Sequence, residues 1–455
     1  MGTAELKVAT SSRHHRGRLR SWLPWLAKGS LAIADQGVFA VSNFLLNVLL
    51  ARWLAPADYG AFALAYSVFL FLLIVHNALV TAPMLVFGAG KYRQRFSEYL
   101  GILLRVHFAL MLLGSALLVV TAFLLGNIYS VVVEQSFFAL AVAAPFILLL
   151  WLLRRAFYAR LDPRLAAASG GIYLIILVAG TIALRSLRLL SPSTGFLNMG
   201  LASLITSLLL LVRLRPRLAA DSSTIRAVVT DHWSYGKWVA GSAGPNWVTD
   251  NIYFILLPAW IGLPQAGALR ALLNLAQPAS QSISSLSTLL MPVLVQDLAA
   301  GGPRRMKRTM KLCFGLFISG SVVFLALLCG FRFQIFHLLY RGKFSGYDSW
   351  PLLLVGLLPI AQSLPNVVGA ALGALERPKL GFWSDVGSGA LGVAIGVPLA
   401  CALGVGGALL GIVVSYTLKG ILTLLFFTRS VRRDTQIAQT HGAAMIGRSN
   451  WTDAS

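Results

Sequence analysis

The chain has 455 residues, 57% hydrophobic and 12% charged, with 38 Lys and Arg against 15 Asp and Glu for a net charge of +23. Soluble domains carry about 25% charged residues, so this composition excludes an ordinary water-soluble enzyme. A transmembrane barrel would need alternating strands of roughly ten residues, and none is present. What remains is an all-α polytopic membrane protein, because about 20 apolar residues span a bilayer as a helix and the chain holds many such runs.

In chain order, residues 1–28 form a basic tail that leads into the first apolar run without a small-residue cleavage site. That reads as a cytoplasmic tail, not a signal peptide. About 12 transmembrane helices follow, at 29–51, 60–87, 99–125, 136–157, 165–187, 195–213, 238–262, 267–298, 312–331, 350–375, 381–403 and 406–428. Spans longer than a bilayer requires are accommodated by tilt. The first six make an N-terminal lobe over 29–213, residues 214–237 are a cytoplasmic inter-lobe linker, the second six make a C-terminal lobe over 238–428, and 429–455 is a cytoplasmic tail.

Charge supports this map. With the N-terminus inside, 29 of the 38 Lys and Arg fall in inner segments, 6 in outer loops and 3 (Arg105, Arg270 and Lys419) within spans. Arg154 and Arg155 count with the third inner loop on this map. Inner loops of membrane proteins carry the Lys and Arg excess, and a wrong span count would scramble that alternation. The net charge therefore faces anionic membrane lipid, not nucleic acid. Cys313, Cys329 and Cys401 all lie in spans with no metal-ligand spacing. No phosphate-loop, HExxH or GxSxG motif occurs, so the sequence implies a non-enzyme without a metal or other cofactor.

Six plus six spans suggest an internal repeat. At an offset of 207, Leu49, Leu50, Trp53, Gly60 and Ala61 meet Leu256, Leu257, Trp260, Gly267 and Ala268, and Asn43 meets Asp250. Both copies cross in the same direction, a parallel repeat. In such architectures the substrate binds in a central cavity between two halves, and span-internal polar groups belong there because facing lipid is costly.

Several stretches supply those groups. Gln36, Asn43 and Asn47 share one face of the first span, with Asp35 and Ser42 beside them. The seventh span carries Asn246, Thr249, Asp250 and Tyr253. In the eighth, Gln277, Ser280, Ser284 and Ser287 step along one face, with Pro278 and Pro292 allowing bends there. The tenth adds Gln362 and Asn366. Arg270 opens the eighth span and is the cationic candidate for an anionic ligand. Asp35 and Asp250 are the ion-coupling candidates. Ser and Asn also pack helices, so single hydroxyls weigh less than the face as a whole. His76 and His107 read as packing residues, Arg105 and Asp385 as interfacial, and Lys419 lies too deep to snorkel easily.

The segment "ADQGVFAVSNFLLNVLLARWLAPADYGAFALAYSVF" resembles the start of polysaccharide-type flippases of the multidrug/oligosaccharidyl-lipid/polysaccharide exporter (MOP) superfamily. The resemblance rests on the first-span polar residues, the "LLARWLAPADYGAFALA" turn and the six-plus-six plan. It implies multi-pass proteins of the bacterial inner membrane, with both termini cytoplasmic. They move undecaprenyl-diphosphate-linked oligosaccharide outward for O-antigen, capsule or exopolysaccharide assembly. The partners implied are that lipid-linked oligosaccharide, membrane lipid and polysaccharide polymerase machinery. An anionic, hydroxyl-rich substrate needs cationic, amide and hydroxyl donors, and the acid-poor interior agrees. Two other readings stay open: an ion-coupled multidrug antiporter of the same superfamily, and a non-transporting scaffold of a polysaccharide assembly complex.

Overall fold

The computed structural model describes residues 37–160, 162–219 and 221–449, with side chains described to residue 431 except at 163, 238, 242 and 378. Asp35 and Gln36 lie outside the described residues. Most of the long helices follow from apolar runs, several of them opened by Pro or Ser, and no strand occurs among the described residues. The chain divides into two compact units, Met1–Gly241 and Ser242–Ser455.

The first unit holds α1 (Gly37–Trp53) and α2 (Pro56–Ala89), α3 (Phe96–Ile128), α4 (Val131–Ala159), α5 (Pro163–Ser186) and α6 (Pro192–Leu214). Prolines start α2, α5 and α6 in their first turn, where the missing N–H has no partner to lose. Ser191 and Thr194 close a reciprocal cap on α6. Pro145 interrupts α4 and leaves the Ala141 carbonyl without its helical donor. Ser115 Oγ of α3 donates to that carbonyl at 2.7 Å. The core is aromatic: Phe62 stacks on Phe196 at 4.6 Å and on Tyr66 at 5.5 Å. Asn198 Nδ2 of α6 donates to Leu177 O at 2.9 Å and Thr181 Oγ1 at 3.0 Å on α5.

Helix α7 (Ser222–Asn251) takes in most of the 214–237 segment, and the boundary between units falls inside it. The second unit continues with α8 (Tyr253–Trp260), α9 (Leu263–Gly330), α10 (Arg332–Tyr340), α11 (Trp350–Ala374) and α12 (Pro378–Ser449). Two of these helices are broken by glycines in the left-handed region: Gly302 in α9 with φ 64° and Gly404 in α12 with φ 58°. Each therefore has two arms. Among the described residues eight helices are long and apolar enough to cross a membrane, and α9 and α12 are among them. With two spans in each of those, one in α1 and one in α7–α8, the helices correspond to the twelve runs read from sequence. The repeated turn also recurs. Helices end at Trp53 and Trp260 and restart at Pro56 and Leu263, the same offset of 207.

The stretch after α6 is pinned to the start of α3. Ser97 Oγ donates to Arg215 O at 2.5 Å, Arg217 N donates to Ser97 O at 2.9 Å, and Arg105 donates to Leu218 O. Arg105, read as interfacial, is thus a clamp on this strap. Gly101 makes the approach possible, since a Cβ there would stand 1.9 Å from Arg217 O. Gly101→Ala is expected to lift the strap and cost about 1–3 kcal/mol, the usual range for overpacking. Limited proteolysis between residues 214 and 221 should become faster than in wild type. Unchanged cleavage would show that the strap is not held through Gly101.

Candidate functional site

A concentration of half-buried polar side chains lies inside the second unit. Helix α7 presents Asn246, Thr249 and Asp250 at helical spacing, so they share a face. Glycines on α12 let backbones approach that face. A Cβ at Gly389 would lie 3.3 Å from both Pro245 O and Thr249 Oγ1, and one at Gly396 would lie 2.0 Å from the Tyr253 hydroxyl. The missing side chain at Gly396 is required for the second contact, and both glycines let the first arm of α12 lie close against α7 and α8.

Three groups close a ring there. Lys419 Nζ lies 2.7 Å from Asp385 Oδ1 and donates to Asn246 Oδ1 at 2.9 Å. Asn246 Nδ2 in turn donates to Asp385 Oδ2 at 3.1 Å. One helical turn along α7, Asp250 accepts from the Tyr416 hydroxyl at 3.0 and 3.2 Å. Gln362 of α11 reaches the same hydroxyl, and the Lys419 charge acts on Asp250 as well. Thr249 Oγ1 caps the Pro245 carbonyl at 3.1 Å. Asp385, read from sequence as interfacial, is thus paired with Lys419, its side chain 16% exposed. The break at Gly404 folds α12 so that Asp385 of one arm and Lys419 of the other meet. Lys419 does not snorkel because its counter-charge is beside it.

The eighth span, the first arm of α9, exposes a polar face. Gln277 is half-buried while Gln281, Ser284 and Thr288 are exposed, at steps of four, three and four residues. Gln281 Nε2 donates to Gln277 Oε1 at 3.3 Å, and Thr288 Oγ1 donates to Ser284 O at 3.1 Å. The face differs at two of four positions from the run Gln277, Ser280, Ser284 and Ser287, with Gln281 and Thr288 in place of Ser280 and Ser287. Ser287 turns inward and donates to Ile283 O at 2.7 Å. Ser280 is half-buried, and its hydroxyl has no hydrogen-bond partner among the described residues. The sequence signal for Gln281 and Thr288 was present, because both satisfy the same helical spacing from Gln277. Arg270 is half-buried, its guanidinium 5.9 Å from the Phe254 ring centroid and acting electrostatically on Tyr340.

In the first unit, Asn47 is buried and ties α1 to α2. It accepts from the Tyr59 hydroxyl at 3.3 Å and donates to Asn43 O at 2.9 Å. Asn43 itself is half-buried. Arg154, counted from sequence among inner-loop cations, is instead 5% exposed, with its guanidinium 4.2 Å from the Phe39 centroid. Phe39 in turn stacks on Tyr173 at 5.1 Å. This buried cation escaped the sequence reading because it sits at the end of an apolar run, where a charge is ordinarily wet. His107 Nε2 lies 3.1 Å from Pro145 O, which only accepts, so His107 Nδ1 must accept from His76 Nε2 at 3.0 Å. That relay packs α2, α3 and α4.

Outside the spans, Asp231 near the start of α7 accepts from Lys91 and Tyr92, each at 2.6 Å. Partial burial would raise the Asp231 carboxyl, but these hydrogen bonds outweigh it and hold the group below its ordinary range. His232 beside it bridges Tyr99 at 2.6 Å and Leu79 O at 2.9 Å. Burial lowers its imidazole below the usual value. Among the described residues no three His, Cys, Asp or Glu side chains gather as a metal site.

This helical arrangement has solved counterparts. A multidrug resistance MATE family transporter of the MOP superfamily, in an inward-facing conformation, superposes with a TM-score of 0.73 at 12% identity over 89% of this chain and 99% of its own. The chain shares the fold of that transporter. The lipid II flippase MurJ, in an inward closed conformation, follows at 0.70 and 12% identity, covering 88% of this chain and 87% of its own. A MOP superfamily transporter from Pyrococcus furiosus, reported to have a binding pocket of reverse polarity, aligns at 0.64 and 11% identity over 89% of this chain and 94% of its own. No family model and no curated protein matches the sequence. At these identities the likeness concerns the fold alone, and function has to be argued from residues.

Proposed function

We propose that this protein flips an anionic, lipid-linked oligosaccharide across the bacterial inner membrane by alternating access. The lipid carrier is undecaprenyl diphosphate and the product feeds O-antigen, capsule or exopolysaccharide assembly. The observation that carries this reading is charge compensation in the second unit. Asp385 is matched by Lys419 and Asp250 is bonded by Tyr416, so neither carboxylate stands bare for a cationic drug. Meanwhile α9 offers an uncharged amide and hydroxyl face, which suits sugar hydroxyls, and Arg270 is a guanidinium suited to a phosphate. Within the second unit the substrate-contact candidates are Gln277, Gln281, Ser284, Thr288 and Arg270; Asn43 is the candidate of the first unit, and Gln36 is proposed from sequence spacing alone. Asn47, Asn246, Thr249 and Ser280 support that set from within their lobes. Asp250, with Asp35, serves ion coupling, and its replacement by Asn should alter the pH or sodium dependence of transport.

A multidrug antiporter remains the second reading, because the same fold carries a multidrug resistance transporter and Asp250 is an acid within a span. Proteoliposomes separate the two. The reconstituted chain should flip a fluorescent undecaprenyl-diphosphate oligosaccharide and leave a cationic dye gradient untouched. Arg270→Ala should slow flipping about tenfold to a hundredfold, the worth of one charge-assisted contact, while Arg270→Lys keeps part of the rate. Dye export without flipping would overturn the proposal in favour of the antiporter. Neither activity in a folded, reconstituted protein would favour an assembly scaffold.

A further inference from the structure

The second arm of α9 restarts at Pro303 after the Gly302 break and places an unusual charge pattern at its beginning. Arg304, Lys307, Arg308 and Lys311 are all exposed and fall at helical spacing along one face. Cations in the first turns of a helix lie against the positive end of its dipole, an unfavourable arrangement. Arg305, one step off the stripe, has its own counter-charge: its Nε lies 2.7 Å from Asp297 Oδ1, and Thr309 Oγ1 donates to Asp297 Oδ2 at 2.5 Å. No such acid faces the other four among the described residues. Met306 and Met310 on the opposite side are buried in a core with Leu294, Val367 and Leu372. The stripe is therefore held rigidly outward by packing behind it.

Its surroundings identify the missing anion. Arg304, Lys307, Arg308 and Lys311, with Leu312, line a recess of about 360 Å³. Directly along the helix, the exposed residues become apolar: Leu312 is 66% exposed, Leu316 61%, Val323 58% and Leu327 52%. An exposed apolar face on a helix of this length faces hydrocarbon. Four cations at the end of that face then sit at headgroup depth. We infer that this stripe is a binding site for the phosphate headgroup of an anionic bilayer phospholipid, whose acyl chains lie along Leu312, Leu316, Val323 and Leu327. The inference rests on the membrane reading of the chain and not on which substrate it moves. Anionic lipid bound here would relieve the charge at the helix start and anchor the α9 break to the membrane surface.

The test uses the full chain in neutral detergent, titrated with phosphatidylglycerol or phosphatidylcholine and read by native mass spectrometry. Wild type should retain phosphatidylglycerol on the order of tenfold more tightly than phosphatidylcholine, as expected for several cations near one phosphate surface. The variant Arg304→Gln/Lys307→Gln/Arg308→Gln/Lys311→Gln should lose that preference. A control removing equal charge elsewhere, Arg93→Gln/Arg95→Gln/Arg213→Gln/Arg226→Gln, should keep it. Should the fourfold variant fail to fold, Lys307→Gln/Lys311→Gln alone must still weaken the preference severalfold. Equal binding of the two lipids, or a stripe variant that behaves as wild type, overturns the assignment. Displacement of phosphatidylglycerol by millimolar inorganic phosphate would instead make this a free-anion site. Displacement by inorganic diphosphate alone would make it a substrate-loading site. Either result overturns the bilayer-lipid assignment, and none of these readouts depends on transport.

Discussion

Lys419→Met is expected to lower the unfolding free energy by about 2–3 kcal/mol, toward the low end for a broken interior ion pair. The reduction from a fully buried value follows from exposure, since the Lys419 and Asp385 side chains are 24% and 16% exposed. The loss arises less from the missing attraction than from what it leaves behind. Asp385 keeps its charge, Asn246 loses its donor, and Asp250 loses the nearby cation that offsets its own desolvation. The double variant Lys419→Met/Asp385→Asn removes both charges and should recover at least half of the loss, because a neutral pair is cheaper to bury than one unmatched ion. Unfolding in a denaturing-detergent titration gives all corners of this cycle. If the two single substitutions simply add in the double variant, the ring of Lys419, Asp385 and Asn246 carries no coupling and the site is only a set of neighbours.

That ring also marks how far the sequence could be read. Span positions were legible because each apolar run ends in a Pro, Ser, Gly or basic cluster, and because Lys and Arg gather in alternate gaps between the runs. Gly302 and Gly404 fall in the gaps between consecutive runs, so the broken helices agree with the span map. Asp250 was legible as an acid inside an apolar run. Its surroundings were not: Asp385 lies 139 residues from Asn246 in the chain, and no periodicity links positions so far apart. The same limit explains Arg154, whose cation–aromatic contact with Phe39 depends on α1 packing beside α4. On α9 the polar character of the face was evident, but its phase was not. Hydroxyls at Ser284 and Ser287 look equivalent in sequence, and only packing of Ile283 and Leu290 into the core turns Ser287 inward.

Gly411→Val should be the most damaging single substitution in the second unit. The arms of α12 cross where Gly396 and Gly411 meet. A Cβ on Gly411 would stand 2.7 Å from Gly396 Cα and 2.4 Å from the Tyr253 hydroxyl. The first of these neighbours is backbone and cannot rotate away, and Tyr253 is itself fully buried at 1% exposure. Overpacking of a tight core costs about 1–3 kcal/mol and more when backbone must move, so a branched side chain here should exceed that range. Close helix approach through small residues is a main source of cohesion within a membrane, where lipid is as apolar as the helices. Moving the arms apart would also separate Asp385 from Lys419, so the proposed flipping and stability should fall together. Gly315 and Gly320 supply the contrast, since a Cβ at either meets nothing within 4 Å. Gly315→Ala and Gly320→Ala should be neutral or stabilising by up to about 1 kcal/mol through helix propensity. Expression level and melting temperature of the three variants decide the matter. A Gly411→Val protein that melts with wild type would mean that the arms do not cross at Gly396, and the close contact between the two halves of α12 would have to be abandoned.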